Sequence, residues 1–114
     1  MRTDRLLLED MLAAIEEIVA TTPKTQTEFD GNKLIQSHVV RNIQIIGEAV
    51  ARLSKPLKDA HPAVPWRAIT GMPNAVVHVY FRIDWSEVYR TATHDVPPLK
   101  PQIVLILSSL ASNP

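Results

Sequence analysis

A chain of 114 residues suits one compact domain, so we predict a single domain over residues 1–114. Twelve basic and twelve acidic side chains give a formal net charge of zero, which excludes the global positive field that draws basic proteins onto nucleic acid regardless of sequence. The absence of cysteine excludes disulfides and thiolate metal sites, and the charged amino-terminal segment and short apolar runs predict a cytoplasmic protein outside the membrane.

The first half of the sequence predicts two long amphipathic helices. Apolar residues recur at helical spacing from residue 4 to about residue 20, and the run 21–23, which ends in proline, stops the pattern. The polar segment 24–31 lacks periodicity and is interpreted as a connection whose Asp30 caps the next helix. Residues 32–53 keep one apolar face for about six turns, so this helix is predicted to form the spine of a helical bundle.

Shorter helices are predicted for the middle of the chain, where prolines set the boundaries. Ser54 favours the N-cap of a short helical piece over residues 57–61. Another helix is predicted to begin at residues 66–70, directly behind a proline. Gly71 and Pro73 are predicted to break or kink this helix before a second helical piece follows.

The last third of the sequence predicts two more helices. Asp84 and Glu87 are three residues apart and resemble a capping box, which opens a helix to about residue 94. Prolines then lead into a final helix over residues 102–110. No segment alternates in the manner of a strand. The sequence therefore predicts an all-α fold, an up-and-down bundle of five to six helices.

The sequence offers no candidate site for a metal or a phosphate-binding loop. A helical His-Glu-x-x-His motif and a cluster of acidic residues are both absent. The three glycines are scattered along the chain, so they do not form a glycine-rich loop. We therefore predict no metal and no other cofactor.

Four runs of the sequence carry a likeness to a known protein family. They are residues 41–49 (RNIQIIGEA), 64–69 (VPWRAI), 74–84 (ending in YFRID) and 95–99 (DVPPL). Read in order they span almost the whole chain, and together they resemble the HepT family, the HEPN-domain ribonuclease toxins of bacterial toxin-antitoxin pairs.

The resemblance implies a cytoplasmic RNA endonuclease that works without a metal and acts as a homodimer. It places an Arg-x-x-x-x-His-x-Tyr motif from each subunit in a cleft between the two subunits. It also implies a type VII toxin-antitoxin pair, in which an MNT-type nucleotidyltransferase antitoxin transfers AMP to the motif tyrosine and so inactivates the toxin.

Carried over residue by residue, the motif histidine falls on His78, its tyrosine on Tyr80, and the polar residue after its arginine on Asn74. The resemblance implies that His78 moves protons during cleavage, a task that suits an imidazole because it titrates near neutral pH. The arginine itself falls on Pro73, which supplies neither a charge for the phosphate nor a backbone N–H. Loss of such a donor costs on the order of 10²-fold or more in rate, so this chain is predicted to have weak or absent activity.

Three arginines are candidates for contacts with RNA. Arg82 stands where the family often has glycine, and it adds positive charge close to the motif. Arg41 is a candidate only if the fold brings it near the motif. Arg67 is either a solvated residue in a first helical turn or a residue that contacts RNA or a partner.

The motif residues also have plainer interpretations. His78 lies four residues after Asn74, so on a helix the two share a face, and His78 is either a cleft residue or an ordinary helical histidine. Tyr80 follows His78 by two residues, so both line one cleft only where the helix loosens. Tyr80 is either the AMP acceptor or a packing residue.

Two other functions stay open beside that of a HepT-like toxin. A catalytically inactive HEPN dimer would keep the surface for the nucleotidyltransferase and serve as its binding partner. A bundle whose only role is assembly would use the apolar face of residues 32–53 as a dimer seam. Pro73 is either the mark of a natural degenerate copy or a loss-of-function change.

Overall fold

The computed structural model describes residues 3–76 and 82–111, and only the backbone of residue 111. Within these ranges the chain is helical and contains no β-strand, which confirms the predicted all-α bundle. A π-helical segment follows the sixth helix directly. The helices are α1 (Asp4–Thr21), α2 (Gln26–Asp30), α3 (Lys33–Arg52), α4 (Lys55–Ala60), α5 (Trp66–Ala75), α6 (Trp85–Arg90) and α7 (Leu99–Ala111), and the π-helical segment is Thr91–Asp95.

Helix α3 is the centre of the bundle. It packs against α1 on one side and against α5 on another, and α1 in turn packs against α7. Ile15 of α1, Ile43 of α3 and Ile103 of α7 are completely buried in the shared core. Full burial of such a side chain stabilises the fold by about 1.5–3 kcal/mol, so the apolar faces account for the positions of the long helices.

Side-chain caps fix the amino ends of several helices. The predicted Ser54 cap is confirmed, because its Oγ accepts a hydrogen bond from the Leu57 N–H at 3.3 Å. Ser54 also donates its hydroxyl to Asp4 Oδ2 at 2.6 Å and its N–H to Asp4 Oδ1 at 2.9 Å. One serine therefore caps α4 and ties it to the first turn of α1.

The prediction for residues 24–31 is wrong, because this segment contains the five-residue helix α2 and its Asp30 does not cap α3. Thr25 caps α2 by accepting a hydrogen bond from the Glu28 N–H. The fully buried Phe29 holds α2 against the core and contacts the rings of Trp85 and Tyr89. The cap of α3 is Asn32, whose Oδ1 accepts from the Ile35 N–H at 3.0 Å.

The predicted break at Gly71 and Pro73 is also wrong, since α5 runs without interruption from Trp66 to Ala75. The second helical piece, predicted to run toward Tyr80, extends beyond the described residues. Pro73 is the eighth of its ten residues, so the missing N–H removes a hydrogen bond only near the end of the helix. Trp66 fixes the beginning of α5, because its Nε1 donates to the carbonyls of Lys58 and His61 at 3.1 and 3.0 Å.

The carboxyl-terminal helices follow the predicted order. Asp84 caps α6 by accepting from the Glu87 N–H at 3.1 Å, which confirms the predicted N-cap. Helix α7 begins at Leu99 and not at residue 102, because Pro101 lies within its first turn, where a backbone N–H has no partner inside the helix. None of the helices in the described ranges is long and apolar enough to cross a membrane.

Candidate functional site

The predicted site residues lie at the end of α5 and just beyond it. Pro73 and Asn74 belong to the last turn of α5, and Arg82 is an exposed residue before α6. His78 and Tyr80 lie in residues 77–81, outside the described part of the chain. Their roles therefore stay predictions.

A backbone hydrogen bond joins the two helices on either side of this segment. The carbonyl of Val76, the residue after α5, accepts from the N–H of Asp84, the cap of α6, at 2.8 Å. His78 is two residues from Val76 along the chain, and Tyr80 is four residues from Asp84. His78 and Tyr80 thus belong to a segment whose ends are joined by this hydrogen bond.

Pro73 is part of a close contact between α5 and α3. A Cβ atom placed on Gly47 would lie 2.6 Å from Cγ and 2.8 Å from Cδ of Pro73, much closer than van der Waals contact. The same atom would lie 3.6 Å from the carbonyl oxygen of Ile69, the group that a residue with an N–H at position 73 would bond in the helix. The proline ring therefore packs into the space that the missing side chain of Gly47 leaves open.

Gly47 was not recognised as a site residue from the sequence, although it lies in the run 41–49. A signal was present, because a glycine in the middle of a long amphipathic helix costs about 1 kcal/mol relative to alanine and usually has a packing reason. The sequence did not say which residue fills the space, since Pro73 is 26 positions away along the chain. The fold supplies that partner.

Asn74 shares the outer face of α5 with one of the three candidate arginines. Arg67 and Asn74 are seven residues apart, which places them about 20° apart around the helix and roughly 10 Å apart along its axis. Both are exposed. Arg41 is six residues before Gly47, which places it roughly 120° around α3 from the contact with Pro73. The fold therefore aligns Arg67 with Asn74, and it does not turn Arg41 toward Pro73.

Residues 60–83, here called the acid-free stretch, contain no aspartate or glutamate. The rest of the chain holds all twelve acidic residues. The stretch carries two arginines and two histidines, namely His61, Arg67, His78 and Arg82. The zero net charge of the chain therefore hides a local excess of positive charge along residues 60–83.

A pocket of about 320 Å³ lies between α5 and the π-helical segment, lined in part by Met72, Arg90 and Asp95. The Arg90 guanidinium is held by two carboxylates: its Nε lies 3.1 Å from both Glu87 carboxylate oxygens, and its Nη2 lies 3.1 Å from Asp95 Oδ2. Its charge is already compensated, so this pocket is a poor site for a phosphate. Hydrogen bonding from Arg90 lowers the pKa of Glu87 below its ordinary value of 4.5.

This ion pair predicts a pH-dependent contribution to stability. Because the pKa of Glu87 is lower in the folded protein, the contribution is complete above about pH 4.5 and is lost as the pH falls through the folded value. Glu87→Gln should therefore lower the urea midpoint at pH 7 and leave it nearly unchanged at pH values below the folded pKa. An equal change at both pH values would contradict this assignment, and Glu9→Gln, at an exposed position of α1, is the control.

The described residues, 3–76 and 82–111, contain no group of three or more His, Asp or Glu side chains placed to hold a metal ion. Around the candidate site they present an exposed helix face that carries Arg67 and Asn74, beside a tightly packed proline. Such a surface is suited to contact a phosphate backbone through cations and amide groups.

Comparison with known proteins finds relatives whose names describe ribonucleases. "Probable ribonuclease HepT" of Thermococcus cleftensis is 36% identical over 100 residues, which cover 87% of this chain and 91% of that protein. "Putative RNase MJ0125" of Methanocaldococcus jannaschii is 31% identical over 110 residues, which cover 96% of this chain and 95% of that protein. No solved structure gives a significant match. The family described as Ribonuclease HepT-like matches residues 11–106, and the chain therefore belongs to the HepT-like ribonuclease family.

Proposed function

We propose that this chain is a HepT-like RNA endonuclease, the toxin of a toxin-antitoxin pair, and that Pro73 has reduced its activity. The observation that carries the proposal is the family match over residues 11–106, which includes every position of the predicted motif. The acid-free stretch supports it, because a surface with few carboxylates repels a polyanionic substrate less.

The proposed reaction is an internal transesterification of RNA. The ribose 2′-oxygen forms a bond to the adjacent phosphorus as the bond from phosphorus to the 5′-oxygen breaks, leaving a cyclic phosphate and a 5′-hydroxyl. His78 takes part in proton transfer, from the 2′-hydroxyl or to the leaving 5′-oxygen. Asn74, on the exposed face of α5, supports the phosphate by donating from its amide. The motif arginine would neutralise the charge that builds on the phosphate, and Pro73 does not.

We propose that the active form is a homodimer in which the two copies of the motif share one cleft. A single imidazole cannot act as base and acid in the same step, so two histidines from two subunits suit the reaction. Light scattering of the purified chain should give twice the mass of one chain. A strict monomer at micromolar concentration would contradict the shared cleft.

We further propose that an MNT-type nucleotidyltransferase controls the protein by transferring AMP to Tyr80. A nucleotide attached there adds a negative phosphodiester and bulk beside the place where RNA binds, so binding would be lost without unfolding. The chain incubated with an MNT-type nucleotidyltransferase and ATP should gain the mass of an AMP group on the peptide that contains Tyr80. Tyr80→Phe is the matched control.

The cleavage assay tests the central proposal directly. The chain is incubated with RNA in the presence of a chelator, alone and with arginine restored at position 73, and His78→Ala in each background reports whether the imidazole is required. Cleavage that survives chelation and depends on His78 supports a metal-independent nuclease. Cleavage that is unchanged by His78→Ala contradicts it.

A second candidate function is a catalytically inactive dimer that serves as the binding partner of the nucleotidyltransferase. The contact between Pro73 and Gly47 favours it, because the proline is well packed and the fold accepts it without a break in α5. In this case neither the chain nor Pro73→Arg cleaves RNA, yet both bind the nucleotidyltransferase.

A further inference from the structure

We propose that single-stranded RNA runs along the outer face of α5, and that Arg67 holds a phosphate there. This inference rests on the proposed nuclease function and adds the direction in which the substrate leaves the site. The face consists of Arg67, Gly71 and Asn74, here called the α5 face.

The three residues of the α5 face are aligned along the helix. They lie at positions i, i+4 and i+7 of one uninterrupted helix, so they form a single row along its surface. Asn74, beside the motif, is at one end of the row and Arg67 is roughly 10 Å away at the other. A strand that contacts Asn74 can therefore continue over Gly71 to Arg67 without turning.

The space above this row is open. A Cβ atom on Gly71 would find no other atom within 4 Å, so the middle of the α5 face is open. Thr70 does not block it, because its hydroxyl is turned back to donate to the Trp66 carbonyl at 3.0 Å. A sugar-phosphate backbone can thus approach the helix closely between Asn74 and Arg67.

The charge of Arg67 is not compensated by a carboxylate of the described residues. Arg67 is exposed and forms no ion pair with a carboxylate in the ranges that the structure describes, whereas Arg90 is held by Glu87 and Asp95. Arg67 also lies within the acid-free stretch, so no aspartate or glutamate close to it in sequence competes with a phosphate. Its full charge remains for an anion.

The surface between α1 and α3 is less suited to RNA. Asp10 and Glu17 line a groove of about 370 Å³ between α1 and α3, and Glu48 lines the groove that adjoins it. Arg41 shares a face of α3 with Glu48, which is seven residues further on. A polyanion would meet several carboxylates there, and so the α5 face is favoured.

The test measures binding of a fluorescently labelled single-stranded RNA oligonucleotide by anisotropy over a salt series. Arg67→Ala should weaken binding about fivefold or more at low salt, and it should reduce the slope of log affinity against log salt by about 0.7, the contribution of one phosphate contact on a single strand. Arg52→Ala removes an exposed arginine of α3 and should change neither quantity.

Two matched substitutions at Gly71 test the α5 face by adding a side chain, whereas Arg67→Ala removes one. Lysine and glutamate have similar helix propensities and both fit the open space, so Gly71→Lys and Gly71→Glu should fold equally well, as thermal melting will show. Gly71→Lys should tighten RNA binding, and Gly71→Glu should weaken it severalfold. If the two variants and Arg67→Ala all bind as the unaltered chain does, RNA does not follow this face.

Cleavage separates this inference from the proposed function. In the Pro73→Arg chain, Arg67→Ala should raise KM more than it lowers kcat, because the contact holds the ground state and the transition state alike. Cleavage that depends on His78 but ignores Arg67 and Gly71 overturns the α5 face and leaves the nuclease intact. If no version of the chain binds or cleaves RNA, the proposed function fails and the inference fails with it.

Discussion

Replacing Pro73 with arginine is expected to raise the rate of RNA cleavage by about 10²-fold or more, the usual effect of a donor that stabilises charge in a transition state. Arginine is always charged and offers a planar fork of N–H groups to the phosphate, and proline offers neither. The measurement is the initial rate of cleavage of one RNA under saturating and subsaturating conditions, so that kcat and KM are separated.

The fold should accept the arginine. The missing side chain of Gly47 leaves room for the aliphatic stem, and the new backbone N–H at position 73 can donate to the Ile69 carbonyl. We therefore expect the thermal midpoint of Pro73→Arg to be no lower than that of the unaltered chain. A gain in rate then cannot be attributed to better or worse folding.

Two further substitutions at the same position identify the cause of the gain. Pro73→Ala restores the N–H without a charge and should remain as slow as the unaltered chain. Pro73→Lys restores a charge without the planar fork and should recover only part of the rate. Equal cleavage by the proline, alanine and arginine versions would show that position 73 does not face the phosphate.

The second large effect concerns the contact between α3 and α5. Gly47→Ala should destabilise the fold by about 1–3 kcal/mol, the usual cost of an extra methyl group in a packed core. The sign is opposite to that expected in an open helix, where the same change stabilises by about 1 kcal/mol. The reason is that the new Cβ would lie 2.6 Å from Cγ of Pro73, in a ring that cannot rotate away.

Urea unfolding of a double-mutant cycle measures this effect. In a Pro73→Ala background the ring is absent, so Gly47→Ala should become neutral or stabilising, and the difference is the coupling between the two positions. Gly71→Ala is the control, because nothing lies within 4 Å of its Cβ position, and it should stabilise by about 0.5–1 kcal/mol. Additive effects at Gly47 and Pro73 would contradict the contact.

The elements that could be predicted from the sequence are those whose signals are local. Helices α1 and α3 carry long apolar periodicities, and Ser54 and Asp84 are caps that act within three residues. Helix α2 was missed because its stability depends on one aromatic residue, Phe29, which packs against rings some 60 positions away in the chain.

In the candidate site, too, some features follow from local sequence signals and others depend on contacts between distant parts of the chain. The positions of Asn74 and the motif follow from the sequence, but the continuity of α5 through Pro73 depends on a contact with Gly47, a residue of another helix. With a break assumed at Gly71, the alignment of Arg67 with Asn74 could not be foreseen. The roles of His78 and Tyr80 stay predictions from the family resemblance.

The hydrogen bond between the Val76 carbonyl and the Asp84 N–H has a consequence for protein engineering. Val76 and Asp84 lie side by side, so a replacement of residues 77–83 by a segment of different length would bridge the same short distance. The entropy cost of closing a loop changes only slowly with its length. Residues 77–83 can therefore be replaced as a unit. Grafting the corresponding residues of a relative would exchange the region of His78 and Tyr80, while position 73 and Asn74 stay with the scaffold.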